Sequence, residues 1–309
     1  MFWEKRRPDT ASITYGVFSG ALQNVNVPNL LRITDHICLE DTLDGGASPW
    51  LRDVNHGGVR PRLWKGRRDE SDELAQEWPA IHSLPDSSVT TDAGEINIRC
   101  RCGGVHLVLQ NPTKEFATTP RSELPQIVDP TTNKFLANND VCDSCRLSSG
   151  IEIFNWTFIQ LRNLSFGTSS QEGKGSELPK LSTEIKTSVS IQEDRDPRWG
   201  MLAFYESSHN CQRYFCSRCS ACVFFACDDR PETLDIATGL LESPDGARAE
   251  SLCSWNHGGP MAWRQDVMGG WREAFIKSSE ASSERWRLAR GYPKNWRRIL
   301  KEQATATTS

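Results

Sequence analysis

INIRCRCGGVHLVLQ, residues 96–110, sets both the fold class and the chemistry of this chain. Ile96, Ile98, Cys100 and Cys102 fall on even positions; after Gly103-Gly104 the phase moves, and Val105, Leu107 and Leu109 fall on odd ones. Side chains alternate between the two faces of a strand, so apolar alternation on both sides of a Gly-Gly break predicts two strands around a turn. The same turn carries two thiols, Cys100 and Cys102.

Outward from this hairpin the strand signal repeats. IEIFNWTFIQL (151–161) is apolar, β-branched and aromatic, and GMLAFYESS (200–208) and RYFCSRCSACVFFACDD (213–229) read as further strands around a cysteine knuckle. Residues 1–57 read as short strands and loops broken by DGG (44–46) and HGG (56–58). Residues 58–95 are polar and charged and read as a linker, with one short helix expected over WKGRRDESDELAQEW (64–78). Residues 165–198 are almost wholly polar and are expected to form a long mobile insertion. From Trp271 the character changes to a helix-compatible tail, in which nine Lys/Arg against four Glu give a local charge of +5 and leave −9 on the rest. The expected organisation is 1–57, a linker over 58–95, a β-rich module over 96–260 and a basic helical tail over 261–309.

The 309 residues are 37% hydrophobic and 25% charged, with a net charge of −4. No global basic field recruits nucleic acid, and no apolar run approaches the roughly 18 residues of a membrane span. MFWEKRRPDT lacks the apolar core of a secretory signal, so a cytoplasmic location is expected, with the nucleus as the second choice. There is no phosphate loop, no GxSxG and no dinucleotide fingerprint. The eleven cysteines are Cys38, Cys100, Cys102, Cys142, Cys145, Cys211, Cys216, Cys219, Cys222, Cys227 and Cys253. An odd number without an export signal argues against a disulfide framework, and short spacings argue for metal. Cys142-x₂-Cys145 and Cys216-x₂-Cys219 are knuckles that point two sulfurs to one side. Two such pairs plus a C-x-C in one β-rich stretch are a strong zinc signature.

The ordered set CRCGGVHL, CDSCRLSSG, YESS, RYFCSRC, then an aromatic pair and Gly-x-Leu, resembles the glutathione-dependent formaldehyde-activating enzyme family, which includes centromere protein V. The resemblance covers residues 96–257, roughly half the chain. It implies an all-β fold of coiled antiparallel sheets, with the basic helix appended, and a structural zinc on Cys100, Cys102, Cys216 and Cys219. The family's second zinc sits on C-x-C-x₂-C, and here the first position is Asp140, giving Asp140, Cys142 and Cys145. A carboxylate ligates zinc, so this reads as a three-ligand open site; the other reading has Asp140 capping a turn beside two unmetallated thiols. Arg146 takes a family-like position, where it lowers a thiol pKa or binds a substrate carboxylate, or else pairs with Asp140 or Asp143. The residue after the second knuckle is Gly in the family and Ser220 here, at a position expected to need φ > 0. Cys222 and Cys227 lie outside the family pattern and read as buried small side chains or as a completing ligand. His106 reads as a surface residue, and His209 and His257 as weak candidates for ligand or base.

A second pattern is an internal echo. FWEKRRPDT (2–10) followed by GAL (20–22) matches FFACDDRPET (224–233) followed by GLL (239–241), and DGGASPW (44–50) parallels SPDG plus LCSW (243–255). By the resemblance, the N-terminal region looks like the back half of a first module copy without its metal ligands, either a relic docked on the second or the product of a mis-assigned start. The function implied is a carbon–sulfur lyase acting on adducts of a thiol such as glutathione with an aldehyde. The alternative is a zinc-stabilised binding module without catalysis, with partner and oligomeric state left open.

Overall fold

The computed structural model describes residues 2–6, 13–86, 94–167, 177–190 and 195–308. The fold is β-rich, with open sheets and a few helices. An N-terminal hairpin pairs β1 (Phe2–Arg6) with β2 (Ile13–Val17). A small sheet joins β3 (Asp35–His36), β4 (Arg62–Trp64) and β5 (Glu73–Leu74). Strands β6 (Glu95–Arg99) and β7 (His106–Gln110) form the predicted hairpin, extended by β11 (Leu164–Phe166). The central sheet uses β8 (Val128–Asp129), β9 (Lys134–Asp140), β10 (Phe154–Gln160), β12 (Leu202–Ser208), β13 (Cys211–Cys216), β14 (Cys222–Cys227), β15 (Thr233–Ala237) and β16 (Cys253–Trp255). Its order is β12-β13-β14-β15-β10-β9-β16, with β8 also on β9; only the β16–β9 pairing is parallel.

The periodicity read from residues 96–110 positions the core. Ile96, Ile98, Val105, Leu107 and Leu109 are all buried, and Leu164, Phe166, Ile159, Tyr214, Phe224, Leu234 and Ile236 join them in one cluster. Tyr214 stacks on Phe224 at 4.3 Å between ring centroids. Strand registers put Thr157, Ile159, Leu234, Ile236 and Phe224 on this face, so Phe154, Trp156, Phe158, Asp235 and Phe225 point to the other. That outer face carries the candidate site.

Three expectations are corrected. The helix expected over 64–78 does not form: Gly66 and Asp69, at φ 60, turn the chain, so that Leu63 and Trp64 pair with Leu74 and Glu73. Burial of Leu63 and Trp64 outweighs the helical propensity of the charged stretch. Within 165–198, α3 (Ser182–Val189) buries Ile185 and Val189 in the main core; residues 168–176 and 191–194 lie outside the described residues. The tail is two helices, α4 (Trp271–Ala289) and α5 (Trp296–Thr308), rather than one. Gly291 at φ 68 ends the first in a left-handed turn, and Pro293 cannot continue it. No helix among the described residues is long and apolar enough to cross a membrane.

The echoing segments 44–50 and 243–255 are in contact. Trp50 meets Trp255 edge to face at 4.9 Å, and the Arg248 backbone N–H donates to the Asp44 carboxylate at 2.8 Å. Arg248 Nη1 also donates to the carbonyls of Asp44 at 2.5 Å and Gly46 at 2.7 Å. Upstream, Gly20 lies against the helix that follows Cys142. Its N–H donates to Gly150 O at 3.0 Å, and a Cβ there would sit 2.5 Å from Gly150 C.

Candidate metal centres

The first centre forms where two turns face each other. After β6 the chain turns at Cys100–Gly104, and between β13 and β14 it turns at Cys216–Ala221. The potential ligand atoms of Cys100, Cys102, Cys216 and Cys219 lie within 4.8 Å of one another, so this cluster can hold a metal ion. Cys102 Sγ is 3.5 Å from Cys100 Sγ and 3.6 Å from Cys216 Sγ. Backbone N–H groups already point at the sulfurs, Val105 N to Cys100 Sγ at 3.3 Å and Gly104 N to Cys102 Sγ at 3.4 Å. Burial pushes the Cys216 thiol up to about 12, against the backbone N–H groups of Cys219 and Arg218. Four sulfurs gathered this closely, two of them buried, gain from a cation that draws off their protons.

The knuckle explains Ser220. Its N–H closes on Cys216 O at 2.8 Å, and its φ is 61°, the left-handed conformation the sequence led us to expect. L-residues pay roughly 1 kcal/mol there and glycine does not. Ser220→Gly is therefore expected to raise stability by about 1 kcal/mol, read as a higher denaturation midpoint at unchanged slope.

The second centre is built at the end of β9 and on α2 (Asp143–Ser149). Cys142 is the N-cap of α2, its sulfur accepting from Cys145 N at 3.2 Å. One Asp140 carboxylate oxygen accepts from Cys142 N at 2.8 Å, so the turn-capping role is real. The same geometry leaves ligand atoms of Asp140, Cys142 and Cys145 within 4.8 Å of one another, so an Asp140 that caps the turn still belongs to a set that could hold a metal ion. The two thiols are hydrogen-bond partners. Hydrogen bonding from Cys145 pushes Cys142 down, and that bond together with burial pushes Cys145 far up. Trp156, Ala237, Phe154 and Cys222 pack around the pair. Cys222 is thus a packing residue, and burial pushes its thiol up to about 11.

Arg146 is not placed on the thiols. It pairs with Asp143 at 2.6 Å, donates to Leu22 O at 3.1 Å and also donates to Gly20 O, holding the N-terminal segment on α2. The guanidinium that does reach Cys145 belongs to Arg213, which the sequence reading gave no role. Arg213 Nη1 and Nη2 lie 3.5 and 3.4 Å from Cys145 Sγ, Nε donates to Ser144 Oγ at 3.0 Å, and the group stacks over Phe225 at 5.2 Å. Arg213 is only 5% exposed; burial works against its charge, and Cys145 and Cys142 hold its pKa above the ordinary value. A buried cation of this kind needs an anion, and the Cys142/Cys145 pair, once it has lost a proton, supplies it. Arg213→Met is expected to weaken metal binding at Asp140/Cys142/Cys145 by about 10–100-fold while leaving the four-cysteine centre unchanged. Competition with a chromogenic chelator reads both.

The other candidates lie elsewhere. His106 Nε2 is 2.8 Å from Asn97 Oδ1 on the neighbouring strand, and His209 is exposed in the turn before β13. His257 is buried, with Nδ1 3.1 Å from Ser283 Oγ, and burial holds its pKa near 4, so it is neutral. It lines a cavity of about 450 Å³ with Lys134, Glu250, Cys253 and Tyr292. That cavity lies at the Lys134 end of β9, about 20 Å of strand from Asp140.

No family model matches the chain, and no curated protein matches it. Among solved structures it is similar to the crystal structure of a Rhodobacter sphaeroides protein, at 16% identity and a TM-score of 0.26, over 47% of this chain and 87% of that one. A likeness of that size does not bear on fold or activity.

Proposed function

We propose that this chain binds two zinc ions, one closed within four cysteines and one open, and that the open centre acts on adducts of a thiol with an aldehyde. What supports the reading is the contrast between the two donor sets. Cys100, Cys102, Cys216 and Cys219 would offer a metal ion four thiolate donors, whereas Asp140, Cys142 and Cys145 would offer it three. When bound at the second set, zinc supplies a Lewis acid that lowers a thiol pKa or polarises a carbonyl-derived oxygen. The protein's own part is electrostatic. Arg213 places its positive charge on the Cys145 sulfur, α2 fixes Cys142 by its cap, and Asp140 makes the donor set harder than a third thiolate would. The carbon–sulfur lyase reading rests on the sequence resemblance and on this open donor set. Saturable turnover of glutathione with formaldehyde, lost in Cys145→Ser and retained in Cys253→Ser, is the expected result.

A zinc-stabilised binding module without turnover is the second reading. The observation that favours it is the position of the cavity lined by Lys134 and His257, which lies away from the three-ligand cluster. On that reading no thiol–aldehyde pair turns over, although both sites still load.

A further inference from the structure

We propose that Cys211 and Cys227 form a separate, metal-independent thiol site, a cross-strand dithiol that closes to a disulfide by exchange with a small-molecule disulfide. These two residues belong to neither metal cluster. They face each other across the antiparallel β13–β14 pair, and their sulfurs are 3.5 Å apart. Asp228 N donates to Asn210 O at 2.9 Å, which makes 210/228 a hydrogen-bonded rung and 211/227 the adjoining non-hydrogen-bonded one. At such a rung the Cα atoms stand about 4.5 Å apart, inside the roughly 4.4–6.8 Å that a disulfide spans. The bond therefore needs side-chain rotation and no strand movement.

The surroundings suit exchange chemistry. Both thiols are partly exposed, so a small disulfide can reach them. No third donor completes a metal shell around them among the described residues; the nearest carboxylate contact is Asp229 Oδ2, 3.8 Å from Cys227 Sγ. Arg230 is paired through both of its terminal nitrogens with Asp235 at 2.6 Å and lies near both thiols. Burial and the neighbouring thiol hold Cys227 above the ordinary range, so exchange is expected to be slow at neutral pH and faster in mild alkali. The pair shares a sheet face with Arg213 and Phe225, two residues further along the ladder, and so sits beside the arginine that contacts Cys145.

In the reaction one protein thiolate attacks a sulfur of the incoming disulfide, whose S–S bond breaks and releases one thiolate. The second protein thiolate displaces the other half. Two protein thiols are oxidised to one disulfide, and the small disulfide is reduced to two thiols. The assignment stands whether or not the metal reading does.

The test uses full-length protein as purified, incubated with excess oxidised glutathione, digested without reduction and analysed by mass spectrometry. A linked Cys211–Cys227 peptide, reversed by dithiothreitol, is expected in wild type and equally in Cys142→Ser. In Cys211→Ser, Cys227 is expected to stop at the glutathione mixed disulfide. A zinc-sensitive dye followed in parallel dates the oxidation against metal release. Recovery of both residues as free thiols or as two separate mixed disulfides overturns the proposal, as does a linked peptide that forms only after metal is lost.

Discussion

Cys216→Ser is expected to leave the chain unfolded. Cys216 is fully buried at the junction of the β6–β7 turn and the β13–β14 turn, so its sulfur joins two sheets that share one core. A structural zinc contributes ~10–16 kcal/mol of binding free energy that is at once folding free energy. Net stabilities run to about 5–15 kcal/mol, so losing even half of that contribution removes the native state. Serine keeps the size and loses the thiolate. Far-UV circular dichroism should show the loss directly, and a strong chelator should reproduce it in the wild type. Cys142→Ser is the control: its site lies on the outer face beside α2, and the fold should survive. A Cys216→Ser protein with wild-type stability would remove the structural role from the four-cysteine centre.

Arg248→Met should cost about 3–5 kcal/mol through a different mechanism. Arg248 is 2% exposed; it lies 3.0 Å from Glu250 Oε1, donates to the backbone of Asp44 and Gly46, and stacks over Trp286 at 4.6 Å. It therefore ties three segments together: the N-terminal DGG turn, the loop before β16, and α4. Burial alone would push Glu250 up, but Arg248, with hydrogen bonds from Tyr292 and Trp286, holds it below the ordinary carboxylate range. Methionine fills the volume but leaves Asp44 without the Arg248 charge and Glu250 with Arg290 at 3.8 Å in place of Arg248 at 3.0 Å. Adding Glu250→Gln to Arg248→Met should recover part of the loss, because the stranded charge is then removed. Urea unfolding of the single and double variants measures both steps. If the double variant is no more stable than the single, the network is not held by charge.

The parts of this protein legible in its sequence are those whose signal is local. Alternation around Gly103-Gly104 marked the β6–β7 hairpin, and spacing marked the Cys142/Cys145 and Cys216/Cys219 knuckles; the grouping of Cys100 and Cys102 with Cys216 and Cys219 came from the family resemblance. The left-handed position of Ser220 was expected from the glycine that the resembled family carries there. The rest depends on strand register. Arg146 is next to Cys145 in sequence and points away from it, whereas Arg213 is 68 residues distant and reaches its sulfur. No pattern in the chain distinguishes the two before β13 is placed in the sheet. The Cys211–Cys227 pairing is of the same kind. At 64–78 the local signal misled, because two buried side chains, Leu63 and Trp64, outweigh a charged run with helical character. The split of the tail was readable in GYP (291–293), where a glycine and a proline end one helix before the next.

The central claim is that two donor sets of different kinds hold two zinc ions. Elemental analysis of purified wild type and Cys142→Ser tests it most directly. The account predicts close to two zinc per chain in the wild type and close to one in Cys142→Ser, with the fold of the variant intact. One zinc per chain in both proteins would contradict the open centre, and no zinc in either would contradict the account as a whole.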